Sequence, residues 1–187
     1  EEPAEEEEPA EEEEPAEEEP VEEEYKGAEE VKEDGFKGYS PIESPKASDM
    51  SEFLNTDKPE IIMMMGFPNS GRSEMASKII ENDNYSLVQE DTQAKIKSMS
   101  LKEIKLGKSV VIDSTNSNKK KRKEIVDLAK KHKYSITCIH HLKTLEEVLK
   151  INESLPDTKK TKKITFTVYN KTYEEPTEDE GFTLITL

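Results

Sequence analysis

An unbroken apolar run, Ile61-Ile62-Met63-Met64-Met65, leads straight into Gly66-Phe67-Pro68-Asn69-Ser70-Gly71-Arg72-Ser73. Five residues are far short of the roughly 20 that a membrane span needs. The run does not alternate, which fits a parallel strand covered on both faces. Gly-x-x-x-x-Gly, then a cation and a hydroxyl, placed between such a strand and a helix, is the spacing of a phosphate loop. Gly66 permits the turn out of the strand, and Gly71 lets the backbone come close to a phosphate. The N–H groups of residues 69–73 converge at a helix N-terminus, where the dipole favours an anion. Gly66, Asn69, Ser70, Gly71, Arg72 and Ser73 are therefore the candidate phosphate ligands, and the Ser73 hydroxyl stands where Mg²⁺ is held. Arg72 departs from the motif, which has lysine there. A planar fork is not interchangeable with a compact ammonium at such a site.

Downstream, strand and helix patterns alternate. Strands are expected at Tyr85–Gln89, Ser109–Ile112 (ending at Asp113), Tyr134–His140 and Phe182–Leu187. Helices are expected at Ser73–Asn82, Thr92–Leu106, Asn118–His132, Thr144–Asn152 and Ile164–Tyr173. Ile96, Met99, Ile104 and Leu106 would form the apolar face of the second helix; Ile125, Leu128 and Ala129 that of the third. Thr144 with Glu147 makes a capping box. The lysine-rich stretch 154–163 reads as a loop. This order predicts an α/β fold: a P-loop NTPase-like parallel sheet of about five strands with helices on both faces.

The 187-residue chain carries formal charge −16, but unevenly. Residues 1–59 hold 24 acids and 5 lysines, a net of −19; residues 60–187 come to +3. Prolines at 3, 9, 15 and 20 punctuate a Glu-Glu-Pro-Ala repeat over 1–24, which has nothing apolar to bury and is expected to be a disordered tail. It reads as a solubilising spacer, or as a decoy for nucleic acid or a docking strip for a basic protein surface. Residues 25–59, with scattered Gly, Pro and aromatics, read as a linker, and 60–187 as the folded domain. Cys138 is the one cysteine, so no internal disulfide forms, and a reducing cytoplasmic or nuclear setting is expected. No membrane partner is expected.

Two acids stand where strands of an open parallel sheet present their carboxyl ends to a ligand. Asp91 follows the second strand; it could act as a general base or cap the helix from Thr92. Asp113 ends the third strand; it could hold a Mg²⁺-bound water or orient a substrate group. Asn116 or Ser117 would cap the next helix. Lys119-Lys120-Lys121-Arg122-Lys123 reads as a solvated basic face able to touch nucleic-acid phosphates. His132, His140 and His141 have no metal-ligand spacing with Cys138; His140 and Cys138 read as strand packing.

Met65-Gly66-Phe67-Pro68-Asn69-Ser70-Gly71, Asp91-Thr92 and Val111-Ile112-Asp113-Ser114-Thr115-Asn116 together resemble the kinase domain of the polynucleotide kinase/phosphatase family. Tyr169-x-Lys171-x-Tyr173-Glu174-x-Pro176-Thr177 and Glu180-Gly181-Phe182 are similar to its C-terminal segment. The resemblance implies transfer of the ATP γ-phosphate to a 5′-hydroxyl of DNA or RNA, with ATP and Mg²⁺ as cofactors and nucleic-acid ends as partners. It puts Arg72 at the phosphate-lysine position, Asp91 at the general base and Asp113 at the acid orienting the substrate end. Against the family pattern, Asn69 replaces a glycine, Arg72 the lysine, Glu74 a threonine and Glu90 an arginine, and Asn152-Glu153 stands for Asn-Arg in the lid. The family's phosphatase motif does not occur in this sequence. Added acids near a polyphosphate repel it. The residues thus carry two readings: a weak or inactive polynucleotide 5′-hydroxyl kinase, or a pseudoenzyme kept as a structural or protein-interaction module.

Overall fold

The computed structural model describes Leu54 and residues 58–187; the acidic repeat and nearly all of the linker lie outside the described residues. The strands are β1 (Glu60–Gly66), β2 (Tyr85–Val88), β3 (Ser109–Asp113), β4 (Ser135–His141) and β5 (Thr183–Thr186). The helices are α1 (Arg72–Ile79), α2 (Gln93–Lys105), α3 (Lys119–His132), α4 (Leu145–Ser154) and α5 (Lys163–Thr172). All strands pair in parallel in the order β2-β3-β1-β4-β5. The fold is the expected five-stranded α/β sheet.

β1 is central and every residue in it is buried, which is why its sequence shows no polar alternation. The pleat still divides its side chains. Ile61, Met63 and Met65 enter the core with Ile96, Ile104 and Ile125 of α2 and α3. Ile62 and Met64 enter the opposite core with Ala76 and Ile79 of α1. Each such side chain contributes about 1.5–3 kcal/mol on burial. Glu60, also buried, accepts a 2.7 Å hydrogen bond from the Tyr85 hydroxyl. Since β1 lies between β3 and β4, its carboxyl end opens at the point where strand order reverses, the place where such sheets bind ligands.

The local corrections have plain causes. On α2 the buried row is Ile96, Ser100 and Ile104, an i, i+4, i+8 stripe, while Met99 and Leu106 are 40% and 66% exposed. Ser100 stands fully buried in that row, a position that reading for apolar residues alone passes over. Thr92, not Asp91, caps α2, its side chain accepting from the Lys95 N–H. Asn118, not Asn116 or Ser117, caps α3. The Thr144–Glu147 capping box on α4 is present as expected. Among the described residues, no helix is long and apolar enough to cross a membrane.

Arg122 is no part of a solvated basic face. It is fully buried, in register with Ile125, Val126 and Ala129 on the inner side of α3. Its guanidinium grips Glu180 through two 2.8 Å bonds. It also donates to the carbonyls of Asn116, Glu174 and Glu175. The C-terminal segment is thereby fastened to the end of β3. Lys119, Lys120 and Lys123 around it are exposed.

Candidate nucleotide site at the phosphate loop

The loop from Gly66 to Gly71 is built around backbone that side chains resist. Gly66 has φ +143°, and a Cβ there would meet the His141 carbonyl and Ser70 Oγ, each at 2.8 Å. Gly71 has φ +102° and is the N-cap of α1, with no side chain capping the helix. The first-turn N–H groups of α1 therefore have no capping side chain, the usual arrangement of an anion site. Asn69 explains itself here: its φ is +64°, the left-handed region that glycine favours and asparagine tolerates. Ser70 Oγ is buried in the loop with no hydrogen-bond partner. A polar atom in that condition is costly unless a ligand satisfies it. Backbone, helix end and orphan hydroxyl together fit a polyphosphate.

The structure brings Arg72, Ser73 and Asp113 together. Asp113, at the carboxyl end of β3, is buried. One of its oxygens accepts from Arg72 Nη1 at 3.0 Å. The other accepts from Ser73 Oγ at 2.6 Å and from Gln89 Nε2 at 3.1 Å. Arg72 Nε donates back to the Phe67 carbonyl at 3.4 Å. Burial lowers the Arg72 pKa, Asp113 and Tyr169 opposing it, but a guanidinium keeps its charge in proteins. The loop's one cation is thus folded onto the acid rather than left standing over the phosphate cradle. Ser73 and Asp113, the hydroxyl and the acid that would face Mg²⁺, are bonded to each other, and Asp113 is also bonded to Arg72.

Sequence reasoning missed two further supports of the loop. Phe67 packs against Tyr169 of α5 with ring centroids 4.2 Å apart and planes tilted by 47°, within a cluster that includes Phe166 and Val148. The helix after the lysine-rich loop is therefore anchored on the phosphate loop itself. Asn69 Nδ2 donates to Asn152 Oδ1 at 3.0 Å, and Asn152 in turn bonds both backbone groups of Thr161 at 2.8 and 3.0 Å. Part of the signal was present in the sequence: Asn69 stood at a position already marked as a departure, and its amide donates to Asn152, the asparagine of the pair compared with the family's Asn-Arg.

His141 ends β4 directly against Gly66, its Nδ1 3.7 Å from where a Gly71 Cβ would be. Burial first, then Arg72 and Lys143, push its pKa down to about 4, so its imidazole is neutral. His140 is likewise pushed to about 4 by burial and by His141, and stacks on Tyr173. Asp91 stands exposed in the turn after β2, outside the Asp113 cluster. Glu74 and Glu90 are not part of that cluster either.

Comparison with known proteins places this geometry in context. The family model described as "Chromatin associated protein KTI12" matches residues 78–181, more than half of the chain, starting just beyond the phosphate loop. A bifunctional polynucleotide phosphatase/kinase of Schizosaccharomyces pombe is 33% identical over 138 residues, covering 70% of this chain and 34% of that protein. A putative bifunctional polynucleotide phosphatase/kinase of Acanthamoeba polyphaga mimivirus is 29% identical over 171 residues, covering 84% of this chain and 41% of its own length. The chain thus spans well under half of the length of either relative. Among solved structures, Chaetomium thermophilum Kti12 in complex with ADP-AlF3 superposes with a TM-score of 0.51 at 15% identity, covering 68% of this chain and 88% of that one. A sugar kinase from Janibacter sp. HTCC2649 gives 0.54 at 13%, covering 69% and 84%. At such identities the structural likeness speaks for the fold.

Proposed function

This chain belongs to the KTI12 family of P-loop proteins and is related to polynucleotide kinases, and from that premise we propose that it is a nucleotide-binding module with little or no phosphoryl-transfer activity. ATP is the nucleotide that the relatives' kinase chemistry suggests. When bound it would supply a transferable γ-phosphoryl group. The loop N–H groups of residues 69–73 would hold its phosphates, with Ser70 Oγ gaining the partner it lacks. Asp91, exposed after β2, is the candidate base for a 5′-hydroxyl of a DNA or RNA end.

One observation carries the proposal of weak chemistry: Arg72 is bonded to Asp113 and to the Phe67 carbonyl. A cation so engaged is poorly placed to follow a migrating phosphoryl group. The 154–163 loop supplies no replacement arginine, because the chain's other arginine, Arg122, is buried on Glu180. Loss of an arginine-type cation costs about 10³-fold or more in such reactions. The lysines of the 154–163 loop, Lys159 and Lys160 among them, are exposed point charges.

The test is phosphate transfer from labelled ATP to a 5′-hydroxyl oligonucleotide. Little or no product is expected, and Arg72→Lys alone should not restore it while Glu90 and Glu153 remain. A turnover above ~1 s⁻¹ that disappears in Asp91→Asn would overturn the reading in favour of a working kinase. The second reading, a structural or protein-interaction module that binds no nucleotide, would be favoured by failure to bind ATP.

A further inference from the structure

We propose that Arg72 takes the divalent cation's place on Asp113, so that this loop takes the metal-free nucleoside triphosphate and gains nothing from Mg²⁺. The inference rests on reading the loop as a nucleotide site and specifies the form of nucleotide that site accepts.

A P-loop holds hydrated Mg²⁺ between the hydroxyl after its cation and an acid at the end of a neighbouring strand. Here those groups are Ser73 and Asp113, and both are already satisfied. Ser73 Oγ donates directly to Asp113 at 2.6 Å. The other oxygen of the carboxylate faces Arg72 Nη1 at 3.0 Å, with side chains only 11% and 2% exposed. Gln89 Nε2 adds a third donor to the acid. The carboxylate that would attract a metal has therefore been neutralised by a fixed positive charge from the loop.

The choice of arginine is what makes this geometry available. A guanidinium presents several N–H groups in a rigid plane, so it can reach two acceptors at once. Nε holds the Phe67 carbonyl while Nη1 holds Asp113. A lysine has one head atom and no such fork. The Phe67 anchor is itself fixed, because its ring packs against Tyr169 and is buried with Phe166. Releasing Asp113 for a metal would mean pulling Arg72 away from both ends of this brace. A nucleotide whose phosphates rest on the loop N–H groups can bind without that rearrangement. A Mg²⁺-chelated nucleotide brings two positive charges toward a place already occupied by one.

The experiment is calorimetric titration of the full chain with ATP, once in excess Mg²⁺ and once in EDTA, for the wild type and for Arg72→Lys. In the wild type the affinity in EDTA should equal or exceed that in Mg²⁺, to within about threefold. In Arg72→Lys the brace is lost and a preference for Mg²⁺-ATP of about tenfold or more should appear. Wild-type binding about tenfold or more weaker in EDTA would overturn the inference while leaving the nucleotide site intact. An Arg72→Lys protein that is folded by circular dichroism, binds ATP and remains indifferent to Mg²⁺ would also overturn it. Failure of the wild type to bind ATP in either buffer would remove the nucleotide reading and this inference with it. Should Arg72→Lys not fold, the wild-type comparison decides alone.

Discussion

Cutting Glu180 back to alanine should be among the most damaging single changes outside the phosphate loop. Glu180 supplies both carboxylate oxygens to Arg122 at 2.8 Å, and Arg122 is fully buried. In Glu180→Ala the guanidinium keeps its charge and loses its counter-ion. Three carbonyls remain to it, those of Asn116, Glu174 and Glu175, which solvate a cation only in part. Breaking one partner of a buried pair costs about 3–5 kcal/mol, against a total stability on the order of 5–15 kcal/mol. Arg122→Met removes the charge instead and leaves Glu180 near the surface, its side chain 10% exposed. That variant still orphans the Asn116 carbonyl, at about 1–3 kcal/mol. Adding Glu180→Ala to Arg122→Met should then cost less than Glu180→Ala alone, since the buried cation it would strand is gone. Urea unfolding followed by far-UV circular dichroism gives all three values, and the double-mutant cycle gives the coupling. A loss below ~1 kcal/mol in Glu180→Ala, or strict additivity in the double variant, would refute the assignment of Arg122 as a buried hub.

Gly66→Ala should abolish soluble folded protein or cost more than ~3 kcal/mol, because the new methyl group meets backbone at 2.8 Å and φ is +143°; a near-neutral urea midpoint would contradict this. Asn69→Gly keeps the left-handed backbone but cuts the bond to Asn152, so it should change stability by less than ~1 kcal/mol while speeding tryptic cleavage at Lys159 and Lys160. Unchanged cleavage would show that the Asn69–Asn152–Thr161 chain does not hold that loop. His140 and His141 are held neutral by burial, with pKa values near 4 in the fold and about 6.5 in the unfolded chain. Between those values the unfolded state binds more protons, so stability should fall as pH drops from about 6.5 towards 4, by up to about 1.4 kcal/mol per pH unit for each histidine. Urea midpoints at several pH values test it, and His141→Gln should flatten part of the slope.

The sheet and the loop were legible because they rest on short-range patterns. A continuous apolar run, two glycines at fixed spacing and strands alternating with helices each leave a local mark, and so does the Thr144–Glu147 box. The misread positions depend on partners distant in sequence. Arg122 looks like one more cation among lysines until Glu180, 58 residues on, is placed against it. Its spacing with Ile125, Val126 and Ala129 was the available clue, hidden because arginine is seldom fully buried. Ser100 is inward at an i+4 step between Ile96 and Ile104, a position that a search for apolar side chains does not mark. At the site, sequence named Arg72, Ser73 and Asp113 separately. That the arginine turns back onto the acid, 41 residues on, is visible only once β3 is paired with β1.

The central claim, that an intact phosphate loop still takes a nucleotide, is tested most directly by thermal unfolding of the full chain with and without ATP. Ligand at about 100 times its Kd should add about 2.7 kcal/mol of stability, seen as a clear rise in Tm that grows with ATP concentration and is lost in Gly71→Asp. An unchanged Tm at millimolar ATP, with Mg²⁺ and without it, would contradict the claim and leave the domain a scaffold.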